Sequence, residues 1–461
     1  EEKRRMYGLF GSVDMAFKSM VYLTLTARND WSSTLPKDNN SFFYPSVSTS
    51  IILSELVPAI KDYGFAKVRA SYGLVGNDAD PYKIFAQFEG GSIFNPFGNI
   101  EFPIGGTSGY EVENQIGNLK LEPEISKEWE TGLDIRVLEN RVGLDLAYYK
   151  KNTTNQIIPV PIAASSGYTT LTNNIGLIVN RGIEAMITLV PVKTKDLEWE
   201  FRMNYTKNRN KVEDLEEGEI RLATAYNTEY MIIEGQPIGV IRGPKPEYYQ
   251  GKIVVGSDGF PLALPDKQVY GDVNPDYMLG ISNTLKYKGL TFGFTFDIRE
   301  GGVIYSGTAD LNYFVGNATQ SLYNDRQPFI IPNSIYKQLE ADGTYTYHEN
   351  VIPVDMANVN SYYYHTKNQI GDMSRVFDRS FVKLREVVLN YSLPKSLFQN
   401  MPIKGIEVGL YGKNLLLWTP EENNFIDPEV TSWGNDLTGD YGEFRTNPTT
   451  RNFGFSVKAI F

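Results

Sequence analysis

Asn452-Phe453-Gly454-Phe455-Ser456-Val457-Lys458-Ala459-Ile460-Phe461 alternates without a break: Phe453, Phe455, Val457, Ala459 and Phe461 share one face, and Gly454, Ser456, Lys458 and Ile460 share the other. Period two denotes a strand whose two faces meet different environments. A half-buried strand of a soluble sheet has this pattern. So does a strand of a bacterial outer-membrane barrel, whose last strand usually ends on an aromatic that is read during insertion. The rest of the chain decides between the two.

Composition permits either reading. The mean hydropathy is −0.30, and no stretch approaches the roughly 20 consecutive apolar residues of a membrane helix. A membrane barrel escapes that test, because only every second residue faces lipid. The 30 Tyr and 25 Phe favour strands and interfacial aromatic belts. With no Cys, disulfides and thiol chemistry are excluded. A net charge of −11 with no basic patch argues against a nucleic-acid partner. The chain opens on Glu1-Glu2-Lys3-Arg4-Arg5 and runs straight into a strand pattern, with no export leader, so it reads as the interior of something longer.

Thirteen segments have strand character, near 4–16, 19–28, 42–56, 66–76, 128–138, 141–152, 174–190, 198–208, 277–287, 290–300, 380–392, 404–416 and 450–461. In one, Val68, Ala70, Tyr72 and Leu74 oppose Lys67, Arg69, Ser71 and Gly73; in another, Leu290, Phe292, Phe294, Phe296 and Ile298 form the apolar row. The polar faces carry Arg69, Asp134, Arg136, Asp145, Glu184 and Arg202 within strand interiors. A wet barrel lumen or a solvated sheet face accepts such charges. Two segments fit imperfectly. The parity of 174–190 points Arg181 outward, which implies a bulge or a position above the lipid band. Apolar residues at both parities in 381–391 imply a bulge or a strand covered on both faces.

The connections discriminate better. Short ones (Lys18, 57–65, Glu139-Asn140, 191–197, Lys288-Gly289 and 393–403) alternate with long ones at 29–41, 77–127, 153–173, 209–276, 301–379 and 419–449. Long irregular loops count against a soluble domain. Tight periplasmic turns opposite long extracellular loops are what an outer-membrane barrel has. If the C-terminal strand ends in the periplasm, every long connection falls outside. The fold class expected is therefore all-β: a transmembrane antiparallel barrel over residues 1–461. Single-chain bacterial barrels have even strand numbers, and open edges are not tolerated in hydrocarbon. Thirteen strands are thus expected to be the C-terminal portion of a larger barrel, with strand 450–461 closing against a strand that precedes Glu1.

Several stretches carry a family resemblance. Arg28-Asn29-Asp30-Trp31-Ser32-Ser33-Thr34-Leu35-Pro36 followed by Phe43-Tyr44-Pro45-Ser46-Val47-Ser48 resembles a hairpin of the SusC/RagA family of TonB-dependent outer-membrane transporters. Glu234-Gly235-Gln236-Pro237-Ile238-Gly239 and Gly271-Asp272-Val273-Asn274-Pro275-Asp276-Tyr277 are similar to later family segments. The segment 381–393 ending in Tyr-Ser-Leu-Pro, then Gly412-Lys413-Asn414-Leu415 and Asp427-Pro428-Glu429-Val430, continue in the family's order. The resemblance implies a plugged barrel of about 22 strands, with the plug and the TonB-contacting segment before Glu1. It also implies a SusD-like surface lipoprotein over the outer loops, and a dimer of such pairs. No cofactor is implied.

Candidate chemistry is sparse. His348 and His365 lie in one long loop without acidic or Cys partners in register, and read as ordinary loop histidines rather than metal ligands or the base of a hydrolase. Ser257-Asp258-Gly259 reads as a turn, since the residues after it offer no carboxylates at calcium-ligand spacing. No catalytic residue or metal site is expected, and the chain reads as no enzyme. Trp129, Trp199, Tyr148 and Phe461 are expected in the membrane belts. Phe453, Phe455, Val457 and Phe461 form the assembly signal read by the barrel-assembly machinery. Loop aromatics Trp31, Trp433, Tyr441 and Tyr362-Tyr363-Tyr364 either grip a ligand or pack against a lid. Trp433, Asn435, Asp436, Tyr441 and Asp427 are the candidate substrate-binding set. The expected function is uptake of an oligomeric nutrient, a glycan or a peptide, across the bacterial outer membrane. A SusC-like scaffold in an export or assembly complex, and a passive porin, are the alternatives.

Overall fold

The computed structural model describes residues 3–93, 100–215, 218–354, 362–363, 370–398, 402–432, 434 and 437–461. All thirteen expected strands are present: β1 Met6–Phe17, β2 Val21–Ser32, β3 Ser41–Ile52, β4 Gly64–Asn77, β5 Glu124–Val137, β6 Val142–Pro161, β7 Thr170–Lys193, β8 Leu197–Asp214, β9 Tyr277–Tyr287, β10 Leu290–Glu300, β11 Phe381–Ser392, β12 Gly405–Trp418 and β13 Asn452–Ile460. They follow one another in chain order in a single sheet, and the short strand Gln115–Ile116 adds to it beside the start of β7. The chain divides into two compact units: Glu1–Ala185 with Arg209–Ile220 and Ile233–Gln236, and Met186–Asn208 with Arg221–Ile232 and Pro237–Phe461.

In the first unit, tight turns follow from backbone chemistry. Lys18 and Ser19 both take positive φ (50° and 54°), and Met20 N donates to Phe17 O at 2.9 Å, closing a tight turn just before Phe17 and Val21 pair. The registers bring the expected polar face together. Lys67 and Asp145 flank Asp134 on neighbouring strands. Asp134 lies 2.9 Å from Arg136 and 3.7 Å from Lys67, and Arg69 lies 2.9 Å from Asp145 and 3.3 Å from Glu130. These inward charges are therefore paired, Asp134 with Arg136 along its own strand and the others across strands. On the opposite face, Trp129 stands beside Tyr72 and Tyr148, with the Trp129 and Tyr148 rings 5.3 Å apart.

Strands β6, β7 and β8 run beyond their expected ends, so the connection placed at 153–173 contracts to 162–169. The added segments lack alternation because apolar and polar residues alike are buried there, Ile158, Val160 and Val212 with Thr153 and Thr172. Asn155 (φ 59°) and Gly176 (φ 80°) interrupt the extended backbone there. The Asn174 amide spans the break, donating to Glu122 O at 2.7 Å and Asn155 O at 2.9 Å. A Cβ on Gly182 would meet the Tyr149 ring, which places Gly182 on the inner face. Arg181 therefore points outward, 3.9 Å from Glu213.

In the second unit, β9 and β10 keep the boundaries expected of them. A bulge lies in β11, where parity broke in the sequence. Leu384 pairs with Phe296 and Leu416, and Glu386 pairs with Thr295 and Lys413. Arg385 is thus skipped in both ladders. Bulges re-aim side chains, and this one turns Arg385 toward Asp297. The facing strand adjusts at Asn414, whose φ is 52°.

Candidate ligand-binding site in the long connections

The long connections of the second unit fold on cores of their own. Tyr230, Tyr305 and Tyr441 pack with Ala225, Ile241 and Val273 in one of them. Ile304, Ala309, Tyr313, Ala318 and Phe377 form another. It is built on the helix Gly307–Phe314, whose N-terminus is capped by Ser306 accepting from Ala309 N at 3.0 Å. The Glu443 carboxylate accepts from Thr308 N at 2.9 Å at the same end. Arg375, with no exposed surface, donates to Asp310 at 2.7 Å and to Tyr363 O at 2.7 Å, and so ties that helix to the turn Gly371–Arg375. A third core joins Val255, Phe260, Ile331 and Val354, and Tyr362 and Tyr363 pack against it.

These cores locate the expected loop aromatics. Tyr441 is wholly buried; its hydroxyl accepts from Ala225 N at 3.0 Å and lies 2.7 Å from Thr228 Oγ1. Burial pushes its phenol above the ordinary range. The same cause pushes Tyr363 up to about 12. Tyr441→Phe would leave the buried Ala225 N–H without its acceptor, at an expected cost of about 1–3 kcal/mol. Chemical unfolding of the purified protein in detergent reads this, and unchanged stability would contradict the assigned bond. Trp31, in β2, remains 39% exposed. Trp433, Asn435, Asp436, Tyr364 and His365 lie outside the described residues. His348 sits in the strand Tyr345–Glu349, opposite Tyr336, with Nε2 3.0 Å from Thr346 Oγ1.

Asp427 belongs to an ion network that sequence reading did not assemble. Lys383, on the inner face of β11 and 1% exposed, reaches both Asp427 oxygens at 3.0 and 2.9 Å and Glu429 at 2.7 Å. Thr449 also donates to Asp427. The bulged Arg385 bonds Asp297 at 2.9 Å through Nε and Glu429 at 2.6 Å through Nη1. The connection between β12 and β13 is thereby pinned to the inner wall of β10 and β11. Burial pushes the Glu429 carboxyl up, but the hydrogen bonds from Arg385 and Lys383 outweigh it and hold it at about 2. Asp427 is held below its ordinary value by the same balance, with Thr449 and Lys383 opposing burial.

The pH consequence follows from the sign. A carboxylate whose folded value lies below its unfolded value stabilises above the unfolded value and loses that contribution as pH falls. Proteolysis within 419–449 is expected to be flat above about pH 5 and to rise between pH 4.5 and about 2. Cleavage that already rises near neutral pH would contradict the pairing.

Beside the network lies a cleft of ≈ 390 Å³, walled by Leu417, Phe425, Ile426 and Pro448 and by the polar groups of Asn414, Asn423, Asp427 and Arg451. Asp427 is the candidate binding residue that the structure brings to this cleft. A second carboxylate cluster is structural: Glu229 is held by Arg242 at 2.8 Å, Lys267 at 3.0 Å and Arg221 at 3.4 Å. Among the described residues, no group of three or more acidic or His side chains is arranged to hold a metal ion.

Residues 1–348 match the family model described as TonB-dependent receptor-like, β-barrel. The chain belongs to this family. The receptor barrel is similar to TonB-dependent receptor P3 of Formosa agariphila, at 25% identity over 99% of this chain and 45% of that protein. It is also similar to TonB-dependent receptor SusC of Bacteroides thetaiotaomicron, at 21% identity over 93% of this chain and 42% of that protein. Its fold matches a chain of the RagAB peptide importer in the closed-closed state, with TM-score 0.72 and 19% identity over 98% of this chain and 47% of that one. The receptor barrel thus spans about half the length of the curated relatives it matches. It is an outer-membrane barrel of the TonB-dependent receptor family, similar to SusC in sequence and to the RagAB importer chain in fold.

The receptor barrel gives its family segments physical roles. Asp30 accepts from Arg28 at 2.8 Å and from the Tyr44 hydroxyl at 2.5 Å, which ties β2 to β3. Gly239, at φ 84°, lies where a Cβ would strike the Tyr230 hydroxyl and Val273. Asn274 donates to Ile238 O at 2.8 Å, joining two of the segments. Lys383 and Arg385 join two more to each other. Of the expected belt residues, Trp129, Tyr148 and Trp199 are 36–40% exposed, and Trp199 Nε1 donates to Asn283 at 3.1 Å. Phe453, Phe455, Val457 and Phe461 are each at least 65% exposed on the β13 side of the sheet.

Proposed function

We propose that this barrel belongs to an active transporter that takes up oligomeric nutrient, a glycan or a peptide, across the outer membrane. The long connections face the cell exterior and receive the cargo. A SusD-like lipoprotein caps them, and TonB supplies the energy through a segment outside this chain. The belt residues hold the barrel in outer-membrane lipid, and the C-terminal strand with Phe453, Phe455, Val457 and Phe461 is handled by the barrel-assembly machinery. Pairs of transporter and lipoprotein associate as dimers.

The observation that carries this reading is the pinned connection of 419–451. Its Asp427 and Glu429 carboxylates are spent on Lys383 and Arg385 of the wall, which holds one side of a polar cleft open. A pre-formed, part-apolar concavity with a few convergent polar groups is what ligand recognition needs. Likeness to SusC and to the RagAB peptide importer supports oligomer uptake over simple diffusion.

Purification of the full-length protein from its native outer membrane tests the proposal. A single lipoprotein and a bound oligosaccharide or peptide are expected to copurify. Several unrelated subunits around an empty lumen would overturn uptake in favour of a scaffold.

A further inference from the structure

The polar groups around the 419–451 cleft are unevenly used. Lys383 is neutralised by Asp427 and Glu429. Arg451 is exposed and, among the described residues, makes no ion pair or hydrogen bond, although it lines the same cleft. Asn423 is 4% exposed; its Oδ1 accepts from Ile426 N at 3.2 Å, while its Nδ2 is buried without an acceptor. Buried donors left unpaired are costly and call for an explanation. Asn414 spends Nδ2 on Thr450 O at 3.1 Å. Apolar side chains complete the lining: Leu417, set beside Lys383 by strand register, with Phe425, Ile426 and Pro448.

Within a chain of net charge −11, this cleft is lined by one unneutralised cation, by Asn423 with its buried, unsatisfied amide donor, and by apolar side chains. A planar anion with a hydrocarbon face satisfies all three, because a guanidinium forks onto a carboxylate. We propose that the cleft is a carboxylate subsite for the transported oligomer, with Arg451 as the charge partner and Asn423 as the amide donor. The proposal rests on the uptake reading above. The carboxylate belongs either to a uronic-acid unit of a glycan or to a peptide.

Calorimetric titration of the full-length transporter tests this with four probes: oligogalacturonates of two to six units, their methyl esters, a mixture of acidic peptides of two to six residues, and the same peptides esterified and amidated. One acid form is expected to bind about tenfold or more tighter than its neutral form, and which one it is names the source. Arg451→Gln is expected to remove that preference while neutral forms bind unchanged. Asn423→Asp keeps the acceptor for Ile426 N and is expected to abolish acid binding by repulsion. Equal binding of acid and neutral forms, or an Arg451→Gln protein that keeps the preference, overturns the subsite and leaves uptake standing. If none of the four probes binds, the subsite is overturned; uptake falls with it only if the natively purified protein also carries no oligomer.

Discussion

Lys383→Met is expected to destabilise the protein by about 3–5 kcal/mol, the usual cost of removing one partner of a buried ion pair. Lys383 and Asp427 are nearly inaccessible, and Lys383 is the cation that reaches Asp427 while also touching Glu429. Without it, the Asp427 carboxylate is left buried with Thr449 and a backbone N–H as its donors. The loss is expected to be local first, so limited proteolysis would cut within 419–449 before the sheet unfolds. A double change, Lys383→Met with Asp427→Leu, removes both charges and is expected to recover much of the loss. A single variant as resistant as the wild type would show that the network does not hold the connection.

Phe294→Arg is expected to cost about 2–4 kcal/mol if Phe294 lies at the bilayer midplane. It sits mid-way along β10, on the face shared by Asn283 and Val387, in a row of rings with Phe292 and Phe296 at 5.8 Å spacing. The neighbouring Thr295 faces the other way, 3.0 Å from Ser282 Oγ. Thr295→Arg meets a wet lumen and is expected to cost far less. Urea unfolding in lipid vesicles compares the two. Equal costs, or none for Phe294→Arg, would contradict the facing of the sheet.

The strands were legible because lipid on one side and water on the other impose period two on every residue between the turns. Beyond the lipid band burial comes from the packed connections instead, as for Ile157 against the core of Leu35, Phe42 and Leu121, so the strand ends at 153–161, 170–173 and 209–214 carry no such period. The bulge at Arg385 left a trace, since it flipped apolar parity within 381–391. Its purpose left none, because Arg385 and Glu429 are far apart in sequence and nothing local marks them as partners. Tyr441 shows the same limit. A loop aromatic looks alike in sequence whether it stacks on cargo or, as here, fills a core beside Thr228 and Ala225. Of the candidate site, Asp427 is expected as a polar neighbour of the loop aromatics, whereas Arg451 and Asn423 carry no sequence signal.

Growth of a strain lacking the gene tests the central claim most directly. With single monosaccharides or amino acids as the carbon source, growth is expected to be normal. On at least one oligomeric glycan or peptide it is expected to fail, and to return when the full-length wild-type gene is restored. Unchanged growth on every oligomer, together with defective assembly or export of other surface proteins, would contradict uptake and assign the barrel to a scaffold.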